Sequence, residues 1–235
     1  MMTLAALMTL VLISGQDTKI EDYIPAGIKD LTLTAKIVKG DQVELKKINK
    51  DFGASYRFEK TTLSFKPPFK MRAESKVEDT SVVYIVNGTD MIMKLGSLKS
   101  KQNLANRPGR RQTTLETGVL TVDLFGSLYT AQFIEDDKAT GTAVFDLTYG
   151  NGDVDKSRSR VWLDRSKKYI VRRDWFNQQG VQLATFDFSA PQQFGDVWIP
   201  THMEVKNGEG HLAGVTDYVD IKLNSGLDDS LFEIK

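Results

Sequence analysis

Between residues 160 and 205 the chain alternates short runs rich in Val, Ile, Phe, Trp and Tyr with clusters of turn residues. The punctuation is Asp164-Arg165-Ser166, then Asn177-Gln178-Gln179-Gly180, then Pro191 through Gly195-Asp196. Runs of that length and composition, bounded that way, predict consecutive antiparallel strands joined by tight loops. The connections are too short for the crossover helices that parallel pairing needs.

The same pattern extends upstream. Residues 17–40 mix polar and apolar positions around Pro25 and predict a short helix or linker running into an edge strand over 31–38. Asp41 and Glu44 have the spacing of an N-cap and its N3 carboxylate, so Val43, Leu45, Ile48 and Phe52 predict a short helix ending near Gly53. From Ala54 onward the pattern turns to β. Tyr56, Phe58, Thr61, Leu63 and Phe65 lead to Pro67-Pro68, which breaks any ladder because proline donates no hydrogen bond. Residues 69–73 and 81–86 continue as strands.

Asn87-Gly88 between apolar runs is a strong hairpin signal, since a type I′ turn needs positive φ at both positions. With those two as the loop, Val86 faces Thr89, Tyr84 faces Met91 and Val82 faces Met93. One face then carries Val82, Tyr84, Val86, Met91, Met93 and Leu95. The other carries Val83, Ile85 and Ile92 beside Asp90 and Lys94. Both faces are more apolar than a half-solvated sheet requires, so something besides water covers the second side near its centre.

Residues 98–111 are polar, contain Arg107-Pro108-Gly109-Arg110-Arg111, and predict a loop. Residues 114–128 (TLETGVLTVDLFGSL) show helical stripes: Leu115, Val119 and Val122 widened by Phe125, and Leu120, Leu124 and Leu128. A helix so apolar around its circumference is buried or touches an apolar ligand. Gly118 and Gly126 weaken it by about 1 kcal/mol each relative to alanine, which predicts a marginal, mobile helix. Strands follow over 129–135 and 142–149, with turns at 138–141 and 150–153. The last strand, 215–223, alternates Val215, Val219, Ile221 and Leu223 with Thr216, Tyr218, Asp220 and Lys222, and a capped turn at 226–232 closes the chain. No repeat or linker divides it, so residues 16–235 are expected to form one domain.

Composition narrows the function. Lys plus Arg and Asp plus Glu number 31 each, so no net field favours a polyanion and a nucleic-acid partner is not expected. Cysteine is absent, which removes disulfides, thiol nucleophiles and thiolate metal sites. The two histidines, His202 and His211, are too few for a histidine-rich metal centre. At the N-terminus, residues 4–13 (LAALMTLVLI) are uncharged and apolar, followed by Ser14-Gly15. This run is shorter than the ~20 residues a membrane span needs, and a secretory signal peptide cleaved after Gly15 is the expectation, although no Lys or Arg precedes it. Gln16 stands where a lipidated cysteine would be required, so no lipid anchor is expected.

No nucleophile elbow, phosphate-binding glycine loop, paired zinc-binding histidines or dinucleotide fingerprint occurs. No cofactor or metal is expected. Glu135-Asp136-Asp137 and Asp228-Asp229 read as solvated turns. Arg158, Arg160, Arg165, Lys167, Lys168, Arg172 and Arg173, interleaved with Trp162, Tyr169 and Trp175, could track a single-stranded nucleic acid but fit better the outer face of a sheet. What remains is apolar surface without an owner. A β core and a cavity for a hydrophobic ligand, covered by the 114–128 helix, account for it equally well.

Several segments resemble the outer-membrane lipoprotein-sorting proteins, the LolA/LolB-like superfamily. They are LSFKPPFKMR at 63–72, VVYIVNGTDMIMK at 82–94, Val161-Trp162-Leu163-Asp164, Phe194-Gly195-Asp196-Val197-Trp198-Ile199-Pro200, and 227–232. The resemblance implies a mainly β (α+β) fold: a strongly curved antiparallel sheet forming an incomplete barrel, with short helices plugging the open side. It also implies carriage of acyl chains, or of a lipidated protein, in the cavity. The expectation is accordingly an exported, soluble, non-enzymatic carrier of lipid or an acylated ligand in the periplasm, a monomer, with an envelope membrane protein as a further partner. In the lipoprotein carrier proper a basic residue beside a proline latches the lid. Lys66-Pro67-Pro68 occupies that segment, so Lys66 is the latch candidate. The 107–111 loop has no carrier counterpart and is similar to that of an uncharacterised branch of the superfamily.

The expected cavity lining is Val82, Tyr84, Met91 and Met93 from the sheet with Val119, Val122 and Phe125 from the helix. Two rival expectations stand beside the carrier. One is an envelope sensor or scaffold using the same fold to bind a protein. The other is a hydrolase of an envelope polymer acting through converging carboxylates.

Overall fold

The computed structural model describes residues 18–150 and 155–235. The signal-type stretch 1–15 and most of the 150–153 turn lie outside the described residues. The strands are β1 (Leu31–Gly40), β2 (Lys60–Lys66), β3 (Lys70–Val77), β4 (Thr80–Asn87), β5 (Asp90–Leu95), β6 (Leu98–Asn103), β7 (Tyr129–Asp137), β8 (Thr142–Tyr149), β9 (Arg158–Asp164), β10 (Ile170–Phe176), β11 (Gln182–Ser189), β12 (Gln192–Phe194), β13 (Val197–Ile199), β14 (His202–Asn207) and β15 (Leu212–Leu223). Two helices, α1 (Gln42–Ile48) and α2 (Lys50–Ser55), fall between β1 and β2.

Thirteen strands form one antiparallel sheet in the order β6-β5-β4-β3-β2-β1-β15-β14-β11-β10-β9-β8-β7, while β12 and β13 make a separate hairpin. β1 sits at the centre against β15, not at an edge as its sequence suggested. The chain therefore steps outward from β1 to one edge at β6, then starts again at the other edge with β7 and steps back to the centre. Residues 104–128 must connect the two edges. They do so across the concave side, where Leu104, Leu115, Val119, Leu120, Leu124 and Leu128 join the main core. The curved sheet does not close into a barrel, and this connection plugs its open side.

The plug is not the predicted helix. It contains three short 3₁₀ turns, Pro108–Arg110, Thr114–Thr117 and Val122–Leu124, in otherwise irregular backbone, and the last two fall where the helix was expected. Gly118 takes the left-handed conformation (φ 78°) and ends the Thr114–Thr117 turn after four residues. The two stripes of the sequence consequently part company: Val119 and Leu120 are both buried, and Val122 points outward.

The β4–β5 hairpin also differs from its expected register. Asn87 pairs with Asp90, leaving Gly88 (φ 64°) and Thr89 as the loop, the pattern of a type II′ turn. The partners become Val86–Met91, Tyr84–Met93 and Val82–Leu95. The slip is two residues, so every side chain keeps its face. The second face is covered by the chain itself. Phe232, fully buried, packs with Ile85 and Ile92, and Val83, Leu227 and Ile234 border them.

Other boundaries shift for identifiable reasons. Asp41 caps α1 by accepting from the Val43 and Glu44 N–H groups at 2.9 and 3.2 Å. The reciprocal half of the capping box is missing: Glu44 instead accepts from Asn207 at 2.6 Å, and the Asp41 N–H goes to the Ala213 carbonyl. Asn49 caps α2, which carries helix through Ser55 where strand was expected. Residues 98–103, expected as loop, form the exposed edge strand β6. In β15, Asp220 (φ 54°) marks a bulge opposite β1. Thr216 and Tyr218 consequently face the core despite lying on the predicted polar side, while Ile221 and Leu223 return to it beyond the bulge.

Candidate functional site

The site is the concave face of the sheet and the plug lying on it. Thr113 opens the second turn of the plug with a capping box: its hydroxyl accepts from Leu115 N–H at 3.2 Å, and the Glu116 carboxylate accepts from Thr113 N–H at 2.7 Å. Gly118 then passes so close to Phe188 and Pro200 that a Cβ there would lie 2.7 Å from each. Its carbonyl accepts from Ile170 N–H at 2.9 Å, tying the plug to the start of β10. Tyr218 adds a second tie from β15, donating to the Glu116 carbonyl at 3.2 Å.

The rest of this interface is poorly satisfied. Thr114 and Thr121 are buried at 4% and 3% exposure, and neither hydroxyl has a hydrogen-bond partner among the described residues. Both line a crevice of about 10 Å³ against Phe65, Pro67, Pro68 and Phe69. A buried polar group left unpaired costs roughly 1–3 kcal/mol, so these contacts weaken the seating of the plug.

Met91 and Val119 belong to the main buried cluster, and Tyr84 and Phe125 pack against it. Val82 is half-buried on the same concave face. Met93, 45% exposed, and Leu95, 43% exposed, continue that face beyond the plug toward Leu98. Val122 is 47% exposed and does not belong to the buried cluster. Lys66 does not reach the plug. Its ammonium donates to the Leu227 carbonyl at 3.1 Å and pairs with Asp229, so it fastens the C-terminal segment to the convex side.

The basic run takes up two positions. Arg158 and Arg160 both bind Asp146, Arg172 binds Asp174 and stacks on Trp162 with its guanidinium 4.7 Å from the ring, and Arg165 pairs with Asp136. Arg165, at the β9–β10 turn, lies over the Tyr23 ring at 5.5 Å, and its partner Asp136 sits opposite the core residue Ala143. Arg158, Arg160 and Arg172 lie on the outer face, as expected. Arg173 does not. It points inward, 7% exposed, over the Phe186 ring at 5.1 Å, with Nε donating to Ser159 Oγ at 3.0 Å. Its Nη1 stands 3.7 Å from Glu116 Oε1. Burial pushes the Glu116 carboxyl up, and the facing guanidinium pulls it back only in part. Burial also raises the hydroxyl of Tyr149 to about 12 and those of Tyr129 and Tyr218. Sequence reading missed this interior polar centre. The signal was strand parity: Arg173 lies opposite Val161 and Phe186, whose side chains face the core.

Two further features are less suited to ligand binding. Glu44, Glu209 and His211 converge within 4.8 Å, but the Lys47 ammonium lies 3.1 and 2.8 Å from the two glutamates and already supplies the cation. An open basin of about 800 Å³ beside β2–β4 is lined by Arg57, Glu59, Lys60, Glu74, Lys76 and Glu78 along with Val82 and Val83. That charged lining does not suit an acyl chain.

Solved structures share this architecture. A domain from Vibrio parahaemolyticus described as outer membrane lipoprotein-sorting aligns over 91% of this chain and 93% of its own, with 14% identity and a TM-score of 0.61. A LolA superfamily protein from Nitrosomonas europaea aligns over 92% and 94%, with 14% identity and a TM-score of 0.62. The fold is LolA-like. A DUF1329 family protein from Desulfovibrio piger shares it too, over 91% and 92% of the two chains, with 14% identity and a TM-score of 0.58. A family model described as "Uncharacterized protein" matches residues 121–235, which begin inside the plug. No curated protein matches the sequence. In this LolA-like chain no helix of the described residues is long and apolar enough to cross a membrane.

Proposed function

We propose that the chain is an exported, non-enzymatic carrier. On this reading residues 1–15 are removed on export, and residues 16–235 work as a single monomeric domain in the periplasm. Acyl chains, of a lipid or of a lipidated protein, occupy the concave face after the plug moves aside. The observation that carries the reading is the nature of the cover. A large apolar concave face is closed by irregular backbone with three short 3₁₀ turns and two unpaired buried hydroxyls. The LolA-like fold and the lipoprotein-sorting description of one relative support the same reading.

In the proposed cycle the exposed ledge of Met93 and Leu95, with Val82, receives the chain first. Tyr84 and Met91 lie deeper and are reached as Val119 and Phe125 leave. Val122, being exposed, moves with the plug without lining the site. Burial at about 0.8 kcal/mol per methylene is ample to drive an acyl chain into such a site.

The test is mass spectrometry of organic extracts from the purified native protein, paired with a spin label at Val122→Cys, which the cysteine-free sequence makes unique. Copurified acyl lipid, and a label whose mobility rises when lipid is added back, is the expected result. A delipidated protein that takes up no fatty probe and shows no label response would end the carrier reading. The exposed β6 edge favours one second reading, a sensor or scaffold that binds a protein partner by strand addition. A stoichiometric protein complex indifferent to delipidation would select it.

A further inference from the structure

We propose that Arg173 is the receptor for the anionic head group of the carried ligand, a carboxylate or comparable oxyanion on a single acyl chain, and that Glu116 of the plug holds its place while the site is closed. This rests on the carrier reading and sharpens it to a ligand class.

A guanidinium offers five N–H donors in a flat fork suited to grip an oxyanion with two parallel bonds. Arg173 uses one of them, on Ser159. Nη1 stands 3.7 Å from Glu116 Oε1, too far for a hydrogen bond, and Nη2 has no hydrogen bond among the described residues. The guanidinium carbon lies over the Phe186 ring at 5.1 Å. At 7% exposure the group has been taken largely out of water, yet only its Nε makes a hydrogen bond among the described residues. It is also fixed in place. β10 lies between β9 and β11, so Arg173 stays where it is when the plug leaves.

The plug has the shape of the ligand it would replace. Glu116 supplies a carboxylate facing the guanidinium, and Val119, Leu120, Leu124 and Leu128 follow as a buried apolar train. Glu116 is divided between two partners, since its other oxygen holds the Thr113 N–H. The raised proton affinity of its carboxyl agrees with a weak grip on Arg173. A ligand carboxylate free to approach the fork with both oxygens would displace it.

The experiment is displacement of a neutral dye, N-phenyl-1-naphthylamine, from the full-length mature protein at pH 8. Dodecanoate, dodecyl phosphate and dodecanol serve as competitors of equal chain length. Both anions are expected to displace the dye at concentrations at least tenfold lower than dodecanol. Arg173→Met collapses that ratio to near one, and Arg173→Lys retains part of it. Glu116→Gln removes the internal competitor and raises the ratio, and it tests the idea even if the Arg173 variants fold poorly. Preference for dodecanoate alone, or for dodecyl phosphate as well, tells a fatty acid from a phosphorylated lipid as the source of the oxyanion. If dye and dodecanol bind but the wild-type ratio is near one, or Arg173→Met leaves it unchanged, the head-group site is wrong and the carrier stands. If no probe is taken up, both fall.

Discussion

Asn87 donates its side-chain N–H to the carbonyl of Phe232, 145 residues further along the chain, at 3.2 Å. The residue that the sequence marked as half of a turn is instead the last rung of the β4–β5 ladder and a clamp for the C-terminal segment. Arg72 adds a second clamp, donating to the Leu231 carbonyl at 3.0 Å, while Lys66 and Lys70 converge on Asp229. The convex side of the early strands is thereby sealed by the protein's own tail. The apolar centre of that side, Ile85 and Ile92, is thus already occupied by Phe232.

Truncating the ring at the centre of that seal should be costly. Phe232→Ala empties a fully buried site against Ile85 and Ile92 and should lower unfolding free energy by about 3–5 kcal/mol in urea denaturation. Dye uptake by the molecules that remain folded should not change. Raised uptake would instead show that the convex side can hold apolar ligands.

The start of the tail depends on one carboxylate. Asp30, 3% exposed, accepts from Ser225 N–H and hydroxyl and from the Gly226 and Leu227 N–H groups. Burial pushes this carboxyl up, but the accepted hydrogen bonds outweigh it and hold it below the ordinary carboxylate range. A carboxyl lowered by folding contributes stability fully above its unfolded pKa, about 3.9, and loses it as pH falls through the folded value. Asp30→Asn should therefore cost about 2 kcal/mol at neutral pH and flatten the stability curve below about pH 4. An unchanged acid slope would mean that other groups carry the acid sensitivity.

The sheet was readable in the sequence because alternation and turn residues are local. Residues 160–205 gave their strands on that basis, and the β4–β5 faces survived a register error because a slip of two preserves parity. The plug was misread for an equally local reason. Thr113 and Glu116 form a true helix-start motif and the apolar spacing is helical, but Gly118 takes a left-handed conformation that ends the turn, where Phe188 and Pro200 leave no room for a Cβ. Arg173 was misplaced because it sits in a run of cations. Alternation along a strand puts one of Arg172 and Arg173 inward, but which one is settled by their partners, with Trp162 outside and Phe186 within. The C-terminal cover was invisible for another reason: its partners are more than a hundred residues away.

That difference between helix and irregular plug can be measured at two neighbouring positions. Leu120→Ala should cost about 2–5 kcal/mol, since Leu120 is 1% exposed. Val122→Ala should stay within about 0.5 kcal/mol, because the side chain is on the surface. A regular helix with the stripe of Leu115, Val119 and Val122 turned inward would make Val122 expensive too, and a large loss there would restore it.

Gly118 offers the most direct test of whether the plug is the gate. An alanine there must hold the left-handed conformation, at about 1–2 kcal/mol, and force its methyl against Phe188 and Pro200, at about 1–3 kcal/mol more. The neighbours belong to the sheet and to the segment entering β14, while the plug is fastened there by the Gly118 carbonyl to Ile170 and by Tyr218 to Glu116. The plug is the part that gives. The strain therefore penalises the closed state and spares the open one, so Gly118→Ala should lower the thermal midpoint and at the same time tighten uptake of a neutral apolar dye. Each 1.4 kcal/mol taken from the closed state is worth up to about tenfold in apparent affinity, until the open state dominates. A fall in stability with no gain in uptake would mean that the concave face opens some other way.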